Sequence, residues 1–200
     1  LEIKAELVKE LRGKTGAGIM DCKRALQESG GDLDRAVDYL KTKGILKAER
    51  RSGRTVKEGR IGMYLHRPGE QIGVLVEVNC ETDFVARTEE FAALVRDLAM
   101  HIAASNPVYI SREDVPEDVR GREEDIYREQ AREAGKPDKV LDKIAKGKME
   151  KYYSDVCLLE QRFIKNPDIT IEELVKEMIA KIGENIAVRR FCRLQVGEEL

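Results

Sequence analysis

Histidine and clustered cysteine are scarce in this chain. His66 and His101 are its only histidines, and Cys22, Cys80, Cys157 and Cys192 are scattered with no Cys-x-x-Cys spacing. A zinc site needs grouped ligands, so no metal and no cofactor are expected. The thiols read as reduced and mostly buried, in keeping with a cytosolic protein. No Gly-x-x-x-x-Gly-Lys-Ser/Thr loop is present to cradle a phosphate, and no nucleophile, base and orienting group can be assembled from motif positions. Gly13, Gly16 and Gly18 precede no βαβ unit and read as helix breakers. These absences favour a binding protein over an enzyme.

Long apolar runs and net charge are missing as well. The longest uncharged run, Leu98 to Ser111, contains Asn106 and Pro107, and it falls short of the roughly 18 apolar residues that a membrane span requires. The opening residues do not read as a signal peptide, so a soluble, cytoplasmic chain without a membrane partner is expected. A net charge of −2 gives no overall push toward nucleic acid or acidic membranes. Charge of both signs is abundant: 37% of residues are charged, against roughly 25% in ordinary domains. With only nine Asn and Gln residues, this suits either a thermophilic source or simply a helix-rich surface.

The rest of the chain is arranged around Asn79-Cys80-Glu81-Thr82-Asp83-Phe84-Val85-Ala86. An apolar run from Gln71 to Val78 precedes it. A helix over about 88–105 follows, with Phe91, Leu94, Val95, Leu98 and Ile102 at helical spacing. The segment is therefore a strand-to-helix turn, whose N–H groups and side chains can meet a partner from a rigid scaffold. The residues alone also permit a plainer reading, in which Thr82 or Asp83 caps a helix while Phe84 and Val85 turn into the core.

Residues 1–43 read as three short helices, with Ile3, Leu7, Val8 and Leu11 inward on the first and Leu33, Ala36, Val37 and Leu40 inward on the third. Such helices enclose only a small core, so they form a satellite domain. Residues 41–60 carry eight Lys or Arg against two Glu; without aromatic side chains to stack on bases, they read as a basic linker rather than an RNA patch. Ile61–His66 and Gln71–Val78 form a hairpin through Pro68-Gly69, which suits a type II turn, and the second strand is apolar enough for burial on both faces apart from Glu77. A short strand at Val108–Ile110, a charged helical hairpin over about 117–153, a helix opening at Thr170 and a closing strand complete the chain. The expected class is α+β: an antiparallel sheet covered by helices, with a helical hairpin.

Thr82-Asp83-Phe84-Val85 after Val-Glu-Val-Asn-Cys-Glu, the stretch Leu11-Arg-Gly-Lys-Thr-Gly-Ala-Gly-Ile-Met-Asp-Cys-Lys-Arg-Ala-Leu26, and Ala180-Lys-Ile-Gly-Glu-Asn-Ile-Ala-Val-Arg-Arg190 closely resemble the bacterial translation elongation factor Ts family. The three motifs stand in the family's order and span nearly the whole chain. The resemblance implies a three-helix, ubiquitin-associated-like module over 1–43, a linker over 44–60, and a core over 61–200 for dimerisation and GTPase binding. It implies a guanine-nucleotide exchange factor for elongation factor Tu. The factor would bind the GDP form, disturb the Mg²⁺ and phosphate site, leave a nucleotide-free complex and be displaced by GTP. It further implies that Thr82, Asp83, Phe84 and Val85 are the intruding element, with Phe84 as an apolar wedge and Asp83 as its polar member. Arg12, Met20, Lys23 and His101 are secondary contacts by the same resemblance, although core packing of Met20, solvated charge for Arg12 and Lys23, and a half-buried His101 at the rim of its helix fit equally well. Ile19 stands where the family often has methionine.

The chain looks like the short family type with one half-core. It is therefore expected to pair as a homodimer, with Ile186, Val188, Cys192, Leu194 and Val196 of the last strand as the seam and Cys192 able to form an intermolecular disulfide on oxidation. That face could instead pack on the preceding helix. Competing functions are an RNA- or ribosome-associated protein acting through 41–60, and an adaptor acting through the three-helix module.

Overall fold

A computed structural model describes residues 3–198. Two compact units alternate along the chain. The first takes the chain up to Gly62, Glu77–Arg96 and Glu173–Arg189; the second takes Met63–Val76, Asp97–Glu172 and the chain from Arg190 on.

The first unit opens with helices α1 (Ala5–Thr15), α2 (Ile19–Glu28) and α3 (Leu33–Glu49). Gly16, at φ 67°, ends α1 and donates its N–H to the Arg12 carbonyl. Asp32 begins α3, its side chain accepting from the N–H groups of Asp34 and Arg35 at 3.0 Å each. Leu11, Cys22, Ala25, Leu26 and Ala36 are fully buried between the three helices, flanked by Leu7, Val8, Leu33, Val37 and Leu40. The expected inward stripes are thus the observed ones. Helix α3 runs beyond 43, into the stretch read as linker, because Gly44 does not break it. That glycine allows close packing instead: a Cβ there would lie 3.2 Å from the Ala180 side chain.

Strands β1 (Glu58–Leu65) and β2 (Ile72–Cys80) follow as a hairpin. Its turn is wider than type II: Glu70 N–H reaches back to the His66 carbonyl at 2.9 Å, and the left-handed residue is Glu70 rather than Gly69. Val74, Val76, Val78 and Cys80 are buried but Leu75 is exposed, so β2 alternates and is not covered on both faces. A short helix α4 (Asp83–Ala86) and a long helix α5 (Glu89–Ser105) come next. Thr88 joins them, its hydroxyl donating to the Val85 carbonyl at 2.8 Å and accepting from Phe91 N–H at 3.3 Å.

In the second unit, α6 (Glu117–Glu133) and α7 (Asp138–Val156) form the expected helical hairpin. Gly135 at φ 71° and the bond from Lys136 N–H to the Ala131 carbonyl close α6. Thin apolar content is met by a few buried side chains and by polar links: Ala131, Leu141, Ala145 and Met149 are buried, while Arg128 pairs with Asp142 at 2.9 Å and Lys148 donates to Gln130 at 2.7 Å. The strand expected at Val108–Ile110 is reduced to one bridge, Tyr109 with Cys157. A two-stranded ribbon, β3 (Arg162–Phe163) with β4 (Asn166–Thr170), stands where no strand was expected; it is too short to show a hydrophobic period.

Helix α8 (Ile171–Ile182) stops at Gly183, whose φ of 91° suits glycine, and β5 (Ile186–Gln195) closes the chain. The sheet order is β1-β2-β5, giving an antiparallel sheet with helices in an α+β fold. The face proposed from the sequence for β5 is divided. Ile186 is buried and Val188 half-buried, whereas Cys192, Leu194 and Val196 are exposed. Arg193, of the opposite parity, reaches the Ala103 carbonyl of α5 at 3.4 Å.

Candidate functional site

Within the first unit, Thr82 makes the contacts that tie the 82–87 turn to Cys80 and Glu184. Thr82 is the N-cap of α4, its hydroxyl accepting from Val85 N–H at 3.4 Å. The same hydroxyl donates to Glu184 Oε1 at 2.7 Å, and Thr82 N–H donates to Glu184 Oε2 at 3.0 Å. Its carbonyl accepts from Cys80 Sγ at 3.1 Å and from Ala86 N–H at 3.2 Å. Burial, with the Glu184 and Glu58 carboxylates adding to it, pushes the Cys80 thiol up to about 11. The thiol therefore stays protonated and serves as a small buried donor rather than a nucleophile.

The neighbouring residues fix the base of the turn. Asn185, almost fully buried, donates its N–H to Glu81 Oε1 at 2.7 Å and its side-chain amide to the carbonyls of Ser52 and Arg54 at 3.2 and 2.9 Å. Arg54 reaches the Glu81 carboxylate at 3.4 Å. Asp83 pairs with Arg87 at 2.8 Å across one helical turn.

On this base the four motif residues divide. Val85 is buried and anchors the turn, Thr82 caps it, and Asp83 lies on the surface with Arg87. Phe84 is 77% exposed. The core reading of Phe84 therefore fails, while that of Val85 holds.

The secondary residues are spread more widely. Met20 is 70% exposed, so it is not core, and it lies next to exposed Ile19 and one turn before exposed Lys23 on α2. Arg12 is exposed near the end of α1. His101 belongs to the second unit and is 0% exposed. The half-buried position expected for it is not found, and neither is an open contact surface. Its Nε2 meets Gln161 Oε1 at 3.0 Å and its Nδ1 accepts from Ile164 N–H at 3.4 Å. Gln161 in turn donates to the carbonyls of Asp155 and Ser105 at 2.7 and 3.4 Å. Burial lowers the His101 pKa below its ordinary 6.5, the Gln161 contact opposing this. His101 thus holds the chain on either side of β3 to α5 rather than facing outward.

Sequence reasoning missed Glu184, Asn185, Glu81, Arg54 and Arg87 as members of the site. Glu184 and Asn185 lie inside the third quoted motif, yet no spacing rule says that a loop after α8 comes to rest on Thr82. Among the described residues, no group of three or more His, Cys, Asp or Glu could hold a metal ion, and no helix is long and apolar enough to cross a membrane.

Comparison with known proteins is consistent along the chain. The family model described as Elongation factor TS matches residues 46–198. A relative named Elongation factor Ts from Syntrophus aciditrophicus (strain SB) is 56% identical over 198 residues, covering 99% of this chain and 98% of the relative. Relatives of the same name from Syntrophomonas wolfei subsp. wolfei and Carboxydothermus hydrogenoformans are 56% and 54% identical, covering 98% and 99% of this chain and 91% of each relative. With the family model over most of the chain and this identity over nearly all of it, the chain belongs to the elongation factor Ts family.

Proposed function

We propose that this chain is the guanine-nucleotide exchange factor for elongation factor Tu, and that the turn Thr82–Val85 performs the exchange. In this reading GDP on the GTPase is held by phosphate contacts and by a Mg²⁺ ion that neutralises their charge, so an intrusion beside them loosens the nucleotide steeply. Phe84 enters as the apolar wedge. Asp83 rearranges hydrogen bonds or repels phosphate charge, and Arg12, Met20 and Lys23 form a second docking surface. Because coupling is reciprocal, a factor that loosens GDP is itself loosened by nucleotide, and GTP displaces it.

The observation that carries this reading is the exposed Phe84 ring on an otherwise fastened turn. Exposure of an aromatic side chain to water is unfavourable, and burying it in a partner returns roughly 1.5–3 kcal/mol. A turn held through Glu184, Cys80 and Asn185 presents that ring without ordering cost at docking. The test is release of labelled GDP from purified elongation factor Tu. Catalytic amounts of this chain should accelerate it, and added Mg²⁺ should oppose the acceleration; an unchanged release rate would reject the function.

The proposal extends to a cytoplasmic homodimer. Met63 and Leu65 of β1, Leu75 of β2, Leu194 of β5 and Val196 just after it are exposed in the second unit. A Cβ on Gly73 would lie 3.8 Å from the Leu65 side chain, so these β1 and β2 residues share a face. By alternation, Cys192, Leu194 and Val196 oppose Arg193, which turns to α5. An open apolar sheet face suits pairing about a two-fold axis, with Cys192 able to meet its symmetry mate.

A further inference from the structure

We propose that Glu184 is a positioning residue for exchange, acting through Thr82 to hold the Phe84 wedge; this rests on the exchange function proposed above. The carboxylate takes both donors of one residue, Thr82 N–H at 3.0 Å and Thr82 Oγ1–H at 2.7 Å. A threonine hydroxyl has a single proton. Committing that proton to Glu184 leaves the oxygen lone pairs facing the helix, where Val85 N–H donates to it at 3.4 Å. The carboxylate therefore sets the direction of the cap as well as adding a bond. With only four residues, α4 has almost no hydrogen-bond ladder of its own, and its start depends on this cap.

The loop carrying Glu184 is built to keep it in place. Gly183 turns the chain at φ 91° after α8 and donates to the Ile179 carbonyl at 2.9 Å. Arg51 Nη1 reaches that same carbonyl at 3.3 Å. On the other side, Asn185 is fixed by Glu81, Ser52 and Arg54. Glu184 thus stands between two anchored residues and grips the wedge turn from 102 positions away in sequence. This assigns a task to the Ala180–Arg190 motif, which the exchange reading otherwise leaves without one. The ring of Phe84 touches the partner; Glu184 fixes where the ring is when the partner arrives.

Stimulated GDP release should be measured for the full chain and for Glu184→Ala, Glu184→Gln, Phe84→Ala and the double variant Phe84→Ala/Glu184→Ala, each checked by circular dichroism and thermal melting. Losing two hydrogen bonds to a charged acceptor predicts release slower by about tenfold for Glu184→Ala. Glu184→Gln, with one acceptor oxygen remaining, should fall between that variant and the parent and guards against an Ala variant that does not fold. In the Phe84→Ala background, Glu184→Ala should remove nothing more, an outcome that a general structural role does not produce because its loss would multiply with the first. Full exchange by folded Glu184→Ala and Glu184→Gln, or losses that multiply, would overturn the positioning role alone. Full exchange by folded Phe84→Ala would overturn the wedge reading, and this role with it.

Discussion

Two rings, one in each unit, stand at positions that resemble family contacts, and they are placed opposite to their polarity. Phe84 is apolar and points into water; His101 is titratable and completely buried. The surroundings explain both. His101 has each ring nitrogen engaged, by Gln161 and by Ile164 N–H, so burial leaves none of its polar atoms unpaired. Phe84 sits on a turn whose polar groups are fastened from below by Glu184 and Cys80 while buried Val85 supplies the apolar anchor. A buried, satisfied polar ring builds architecture. An exposed apolar ring on a held turn is available for a partner.

The sharpest way to break this comparison is to remove the exposed ring. Phe84→Ala is expected to slow stimulated GDP release about a hundredfold, as loss of a central aromatic anchor does at interfaces. Its stability should change by no more than about 0.5 kcal/mol, as for other surface substitutions; a core phenylalanine would instead lose roughly 3–5 kcal/mol. Thermal melting beside the release assay separates these outcomes.

His101→Ala should show the reverse profile. It empties a buried site and leaves Gln161 Oε1 and Ile164 N–H unpaired, which predicts a loss of about 2–4 kcal/mol in urea unfolding. Unchanged stability would contradict its architectural role.

A smaller effect follows from protonation. The folded pKa of His101 lies below the ordinary 6.5, so as pH falls the unfolded chain takes up this proton first. The stabilisation is complete above about 6.5 and is lost as pH falls from there toward the folded value. Urea midpoints should therefore decline with acidification through this window, and His101→Gln should flatten the decline. Midpoints that rise on acidification would show that the ring gains rather than loses by being charged.

The smallest change expected in the isolated fold concerns the sheet face. Leu194 is already exposed, so Leu194→Glu should alter chain stability by only about 0.5 kcal/mol while converting a dimer into a monomer in light scattering under reducing conditions. A parent protein that is monomeric at micromolar concentration and fully active would remove the dimer from the mechanism.

Helical stripes and the hairpin were legible in the sequence because they rest on local patterning, as the Leu33–Ala36–Val37–Leu40 stripe illustrates. The motif Thr82–Val85 was legible as a turn, but not which of Phe84 and Val85 faces inward, since the two adjacent apolar residues carry no period. Burial on both faces of β2 was expected from composition, yet Leu75 remains exposed because coverage of a sheet depends on distant segments. The same reason hid Glu184: its bond to Thr82 joins residues far apart in sequence, and nothing in either segment alone encodes the meeting. The β3–β4 ribbon escaped because two to five residues are too few to establish an alternation.

Amide hydrogen exchange on this chain, alone and bound to nucleotide-free elongation factor Tu, tests the central claim most directly. If the exposed turn is the element that enters the GTPase, the amides of residues 82–87 should slow markedly on binding, and Phe84→Ala should weaken that protection. Complex formation that leaves the 82–87 amides at their free rates, with protection confined to other segments, would contradict it.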